Sequence, residues 1–214
     1  MRLRHFLIFS SFLAGGTAAF ADHHGAVWHS LFDGKSLAGW RASENPRTFK
    51  VIDGVIVAHG RRAHLFYEGP VSDHTFTNFE FEAEVMTKPG ANSGVYFHTA
   101  WQDDGWPAQG YEAQVNNSQS DWRRTGSLYG IDDVREVLPS DNEWFTLNVT
   151  VRGRRVIIKV NDQITVDYVE PVNVVEERNG AQPRRKLGSG TFALQGHDPD
   201  SEVHYRKLRV RLLE

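Results

Sequence analysis

The chain has 214 residues, of which 12% are aromatic and 24% charged, with a net charge of −3 and no cysteine. Its length suits one domain of ordinary size, and the lack of cysteine excludes disulfide bonds and thiolate metal sites. The weak negative charge argues against nucleic acid as a partner, because binding phosphates needs an excess of basic side chains.

Residues 1–21 predict a secretory signal peptide. A short basic start precedes an apolar run that ends at Phe20, and Ala19-Phe20-Ala21 has the small-residue pattern of a cleavage site. The run is too short to cross a bilayer as a helix, and no later stretch is apolar enough to do so. A buried N-terminal helix is the alternative. We therefore expect a periplasmic or secreted protein that begins at Asp22 and has no membrane span.

The remainder, residues 22–214, predicts a single β-sandwich domain. Asp53-Gly54 separates two short strands, 48–52 and 55–58, and is a strong hairpin signal. Further runs alternate apolar and polar residues around Phe81, Val95, Ala113, Val149, Ile158, Val166, Leu194 and Leu208. About ten such strands at these spacings favour an all-β fold, a two-sheet antiparallel jelly-roll sandwich.

Two stretches lack this alternation and predict loops. Residues 101–109 are aromatic and polar, and residues 170–190 are charged and poor in apolar side chains. We expect both to lie on the surface, as long connections usually do.

The alternation also predicts which side chains share a face. If Val95 and Phe97 point into the core, Tyr96 and His98 point away from it together. The same rule groups the polar side chains of the other segments: Glu112, Gln114 and Asn116; Ser127 and Tyr129; Gln195 and His197.

These amides, imidazoles and phenols suit the recognition of sugar hydroxyls, since they donate and accept hydrogen bonds at fixed angles. Trp101 and Trp106 lie in the adjoining loop, where their rings could pack on the apolar face of a pyranose. The alternative is that the polar groups satisfy one another at the sheet edges.

Motifs of other chemistries are missing. The sequence has no H-E-x-x-H, no EF-hand loop, no G-x-S-x-G and no glycine-rich phosphate loop. Asp22, His23 and His24 could suggest a metal, but they lack ligand spacing.

Seven segments in chain order carry a resemblance to a known family. They are Phe32-Asp33-Gly34-Lys35-Ser36-Leu37-x-Gly39-Trp40, Asp53-Gly54-Val55, Asn92-Ser93-Gly94-Val95-Tyr96-Phe97, Gly110-Tyr111-Glu112-x-Gln114, Thr125-Gly126-Ser127-Leu128-Tyr129, Glu143-Trp144 and Leu194-Gln195-x-His197. Together they resemble the 3-keto-disaccharide hydrolase family over almost the whole chain after the signal peptide.

The resemblance implies a concanavalin A-like lectin/glucanase sandwich that acts on 3-keto glycosides, sugars oxidised at C3 by a separate sugar 3-dehydrogenase. Three residues depart from the pattern. His98 stands where many relatives have Arg, Phe145 where Asn is usual, and Asp162 where Gly is common. The first departure bears on substrate class, and the other two are structural.

A ketone at C3 acidifies the hydrogen on C2, so a base can start an elimination that releases the group on C1, and water then adds back. This route needs a base, an acid and a partner for the enediolate, and not the paired carboxylates of an ordinary glycosidase. Glu112, His98 and His197 are the candidate catalytic groups. The candidate substrate-binding residues are Gln114, Tyr96, Asn116, Tyr129, Gln195, Trp101 and Trp106.

The sequence leaves two functions open. The first is an exported enzyme that cleaves 3-keto glycosides with net hydrolysis, and the second is a non-catalytic, lectin-like glycan-binding module. A divalent metal is one candidate for holding the enediolate.

Overall fold

The computed structural model describes residues 27–174 and 185–214. The predicted signal peptide, residues 1–21, lies outside the described residues. Within the described ranges no helix is long and apolar enough to cross a membrane. The helical content there is two 3-10 turns, at Pro46–Thr48 and Val71–His74.

Two antiparallel sheets form the described part of the protein, which confirms the all-β sandwich. The larger sheet contains β1 (His29–Ser30), β3 (Phe49–Ile52), β4 (Val55–His59), β6 (Phe79–Thr87), β9 (Phe145–Arg152), β10 (Arg155–Val160), β11 (Gln163–Val169) and β13 (Glu202–Leu212). The smaller sheet contains β2 (Trp40–Ala42), β5 (Ala63–Tyr67), β7 (Ser93–Thr99), β8 (Tyr111–Val115) and β12 (Thr191–Gly196).

The strand order is β11-β10-β9-β6-β13-β4-β3 in the larger sheet, with β1 beside β13, and β2-β5-β12-β7-β8 in the smaller sheet. The predicted hairpin at Asp53-Gly54 joins β3 to β4. Both turn residues have positive φ, 49° and 79°, as a tight two-residue hairpin requires. Asn161 and Asp162 do the same between β10 and β11, with φ of 48° and 66°.

The core lies between the sheets and is rich in aromatic rings. The Phe192 ring of β12 packs against Phe76, Phe79 and Phe81 with centroid distances of 4.6, 4.9 and 4.8 Å. Aromatic pairs at such distances stabilise the fold beyond the contribution of the apolar area that they bury. This packing joins the smaller sheet to the larger one, so the other face of the smaller sheet points away from the core.

The outer face of the larger sheet is a ladder of ion pairs. Glu80, Glu82 and Glu84 of β6 pair across the sheet with Arg211, Arg209 and Arg206 of β13. Partly exposed pairs of this kind contribute little stability each. The glutamates are therefore a solvated face of the sheet, away from the smaller sheet.

Candidate active site

A cavity of about 460 Å³ lies on the outer face of the smaller sheet. Its size falls in the range of small-molecule sites, about 300–1,000 Å³. Its walls are formed by Asn92, Tyr96, Trp106, Ala108, Glu112, Gln114, Tyr129, Arg185, Gln195 and His197. The structure thus brings together most of the residues predicted from the alternation of β7, β8 and β12.

Glu112 lies in this cavity wall with only 3% of its surface exposed. Gln195 Nε2 donates to Glu112 Oε1 at 3.0 Å and also to the Tyr96 phenol oxygen at 3.1 Å. In the amide orientation that satisfies its neighbours, Gln114 Nε2 donates to the Ser93 carbonyl at 2.9 Å and lies 3.3 Å from the same Oε1. The carboxylate lies over Gly94, where a Cβ atom would collide with Glu112 Oε1.

Burial changes the acidity of these groups. It raises the pKa of the Glu112 carboxyl, although Arg185, Tyr96, Gln195 and His197 favour the charged form. Burial, and then the charge of Glu112, raise the pKa of Tyr96 well above its usual value. Glu112 is therefore a carboxyl that holds its proton to higher pH than a solvated one.

His197 forms a dyad with its neighbour in sequence, Asp198. The His197 Nδ1 and Asp198 Oδ2 atoms are 2.5 Å apart. Burial would raise the pKa of Asp198, but the hydrogen bonds from His197 and from the Asp200 backbone outweigh it and lower that pKa. A carboxylate only accepts, so it fixes the hydrogen of the neutral imidazole on Nδ1 and leaves Nε2 available as a base.

Arg185 is a cavity residue that the sequence analysis missed. Its Nη2 atom is 3.8 Å from Glu112 Oε2, and its guanidinium lies 5.1 Å from the centroid of the Tyr129 ring. Its Nη1 atom and the Oε1 atom of Gln195 are buried without a hydrogen-bond partner in the described residues. A donor and an acceptor beside the cavity are therefore unsatisfied by the described residues, which is unusual for buried polar atoms.

Trp106 covers a second residue that the sequence analysis missed, His64 of β5. The Trp106 ring lies 5.5 Å from the His64 ring and 5.4 Å from the His197 ring. His64 is fully buried, and neither ring nitrogen has a hydrogen-bond partner among residues 27–174 and 185–214. Burial, and then the charges of Arg62 and His197, lower its pKa to about 3. His64 is therefore neutral near neutral pH and packs as an apolar ring.

The placement predicted for His98 is wrong. Three steps along β7, from Tyr96 to Thr99, face only two steps along β12, so β7 carries one extra residue there. His98 has a φ of 55° in this bulge, and its ring packs edge-on against Phe79 of the larger sheet. It does not line the cavity.

Asn116 and Trp101 also lie outside the cavity wall. The Asn116 amide donates to the Asp121 and Arg123 carbonyls at 2.8 and 2.9 Å and so fastens the loop that follows β8. Trp101 packs edge-on against Phe66, and the Arg41 guanidinium lies 3.6 Å from its ring centroid. Neither residue is brought to the cavity that holds Glu112.

The structure also bears on the divalent metal that the sequence analysis left open. No group of three or more His, Asp and Glu side chains there is placed to hold a metal ion. Arg185 is the positive group that faces the cavity from the described residues of its wall.

The arrangement is suited to moving protons on a bound ligand. It combines a carboxyl with a raised pKa, an imidazole oriented by a carboxylate and a buried guanidinium, all at one cavity. An acid, a base and a fixed cation are the groups that stabilise an anionic intermediate between two proton transfers.

A family model described as a 3-keto-alpha-glucoside-1,2-lyase-like domain matches residues 27–211. A comparison with curated proteins finds no match.

Among solved structures, the fold is similar to that of a protein from Parabacteroides distasonis described as a candidate glycosyl hydrolase. The identity is 21%, the match covers 87% of this chain and 94% of that one, and the TM-score is 0.72. The carbohydrate-binding module CBM66 from Bacillus subtilis shares 14% identity, with 81% and 95% of the two chains covered and a TM-score of 0.55. At these identities the likeness shows the fold alone.

Proposed function

This chain belongs to the family of 3-keto-alpha-glucoside-1,2-lyase-like domains, and from that premise we propose that it is an exported enzyme that cleaves 3-keto glycosides. The observation that supports this most is the buried Glu112, with its raised pKa, beside the His197–Asp198 dyad and Arg185. The N-terminal sequence supports export to the periplasm or the medium.

The first chemical step is removal of the C2 proton. His197 Nε2 accepts it, and Asp198 stabilises the imidazolium that forms. The electrons of the C2–H bond move to the C3 carbonyl, whose oxygen becomes an enediolate oxygen. Arg185 supplies the positive charge for that oxygen, in a site where burial strengthens the attraction.

The second step is loss of the group on C1. The enediolate electrons return to form a double bond between C1 and C2, and the C1–O bond breaks. Glu112 gives its proton to the departing oxygen, since its raised pKa keeps it protonated to higher pH. The products are a free alcohol or sugar and a 1,2-unsaturated 3-keto sugar.

Water completes the reaction. Its oxygen bonds to C1 and gives a proton to Glu112, while His197 returns a proton to C2. The sum is hydrolysis, and both side chains regain their starting protonation. Because the ketone is required, the substrate must come from a reaction that oxidises C3, which is the chemistry of a sugar 3-dehydrogenase.

Incubation with 3-keto-lactose or 3-keto-trehalose tests this function. We expect release of free sugar from the keto compound and none from unoxidised lactose, since only the ketone acidifies C2. Binding of the keto compound without any release, across a range of pH, would favour the glycan-binding module instead.

The Trp106→Ala protein should bind a 3-keto hexoside about 10- to 100-fold more weakly than the parent, which is the scale of a lost aromatic contact. The matched control is Trp101→Ala, because Trp101 does not line the cavity. Titration calorimetry measures both affinities. Equal losses for the two proteins would mean that the cavity wall at Trp106 is not the sugar site.

A further inference from the structure

Two buried side chains outside the cavity hold the backbone just after Arg185. The Leu187 N–H donates to Glu170 Oε1 at 2.7 Å, and the Gly188 N–H donates to His98 Nδ1 at 3.1 Å. Residues 185–188 belong to no strand or helix. Their position therefore depends on contacts such as these, since no sheet ladder fixes them.

The His98 contact defines one state of that ring. Nδ1 accepts from Gly188, so the hydrogen is on Nε2, which donates to the Thr77 carbonyl at 2.9 Å. The side chain is 3% exposed and packs edge-on against Phe79 and Phe97. Both nitrogens are used, so His98 is a fixed acceptor for the Gly188 N–H.

The Glu170 contact ties the same segment to β8. The Tyr111 hydroxyl donates to Glu170 Oε1 at 2.7 Å, and Glu170 is only 5% exposed. Tyr111 is the neighbour of Glu112 in the strand, with its ring in the core while Glu112 faces the cavity. The carboxylate thus links the backbone after Arg185 to the strand that carries Glu112.

We propose that His98 and Glu170 are positioning residues that hold Arg185 against Glu112 and Tyr129, an inference that rests on the proposed function. An unrestrained arginine has many rotamers, and ordering it costs conformational entropy that a fixed backbone reduces. The two hydrogen bonds anchor the chain two and three residues after Arg185. The guanidinium then stays 3.8 Å from Glu112 Oε2 and at the cavity wall, where the proposed mechanism needs its charge.

Two measurements on the Glu170→Ala and His98→Ala proteins test the proposal. Trypsin cleavage after Arg185, followed by mass spectrometry, reports where that residue lies without any need for activity. In Glu170→Ala and His98→Ala we expect cleavage about tenfold faster or more, on the scale of a lost buried hydrogen bond. We expect kcat on a 3-keto glycoside to fall by about 10²-fold with KM changed little, as for a misplaced catalytic group.

Two control proteins separate positioning from general damage. Glu170→Gln keeps an oxygen that accepts from Leu187 and Tyr111, so we expect cleavage and kcat within about threefold of the parent. Val149→Ala removes buried volume from β9 of the larger sheet, so it should lower the unfolding temperature and leave Arg185 protected.

The proposal is overturned if folded Glu170→Ala and His98→Ala proteins protect Arg185 as the parent does, or if Glu170→Gln is as impaired as Glu170→Ala. If His98→Ala does not fold, the comparison of Glu170→Ala with Glu170→Gln decides whether the proposal stands. A parent that releases no sugar from 3-keto glycosides contradicts the proposed function, and the trypsin result then still decides whether the two residues position Arg185.

Discussion

We expect the Glu112→Gln protein to fold and to bind a 3-keto glycoside while its turnover falls by about 10²–10⁴-fold, the usual contribution of a general acid. Glutamine has the same length, and its amide oxygen can accept the 3.0 Å hydrogen bond from Gln195. It has no proton to give to the departing oxygen. His197→Ala should lose turnover by a similar factor, because it removes the base. Steady-state kinetics at saturating substrate measure both.

The matched control is Glu82→Gln, on the outer face of the larger sheet, where Glu82 pairs with Arg209 at 2.6 Å. We expect parent-like turnover from that protein. If Glu112→Gln instead weakens binding and leaves turnover at saturation unchanged, Glu112 only positions the sugar and the acid is another group.

The His64→Phe protein should be more stable than the parent in acid, by about 3 kcal/mol at pH 4. His64 has a pKa of about 3 in the fold because it is buried. In the unfolded chain its pKa is near 6.5. Between about pH 3 and pH 6.5 the unfolded state therefore binds more protons than the folded state does. The stability of the parent must then fall as the pH falls through this window. Phenylalanine keeps the edge-on contacts with Tyr96 and Trp106 without this cost.

Urea unfolding at pH 4, 5 and 7 measures the difference. Glu112 acts in the opposite direction, since its raised pKa makes the folded state bind its proton first, but it does so in both proteins. The comparison therefore isolates His64. Two stability curves that run parallel from pH 7 to pH 4 would show that His64 is not buried as a neutral ring.

Much of the site could be predicted from the alternation of apolar and polar residues, because a regular strand points successive side chains to opposite faces of its sheet. Tyr96, Glu112 and Gln195 lie on the cavity side of β7, β8 and β12, opposite core neighbours such as Val95 and Leu194. Three of the seven segments quoted for the family resemblance overlap these strands, and the family match over residues 27–211 confirms that resemblance.

The alternation fails where the ladder is irregular. The extra residue in β7 turns His98 into the interior, and a sequence does not reveal such a bulge when the residue at positive φ is not glycine. Asn116 lies just past the end of β8, and its amide is used by the following loop. A strand pattern describes neither position.

Two residues, one in the cavity wall and one behind it, could not be predicted from the sequence pattern. Arg185 lies in the predicted surface loop, and its burial depends on Glu170, itself 5% exposed although it was assigned to that loop. His64 is in β5, where all five residues are buried, so alternation of apolar and polar residues could not mark a face. Such positions become visible only when tertiary contacts are known.

The fate of the hydrogen on C2 tests the central claim most directly. The parent enzyme acts on a 3-keto glycoside in deuterium oxide, and mass spectrometry and proton NMR of the released 3-keto sugar are compared with a sample kept without enzyme. Elimination followed by addition of water predicts one deuterium at C2, in excess of the spontaneous exchange, for each bond cleaved. A released sugar that keeps its original hydrogen at C2, together with no slowing of turnover when the substrate carries deuterium at C2, would show direct hydrolysis and contradict the account.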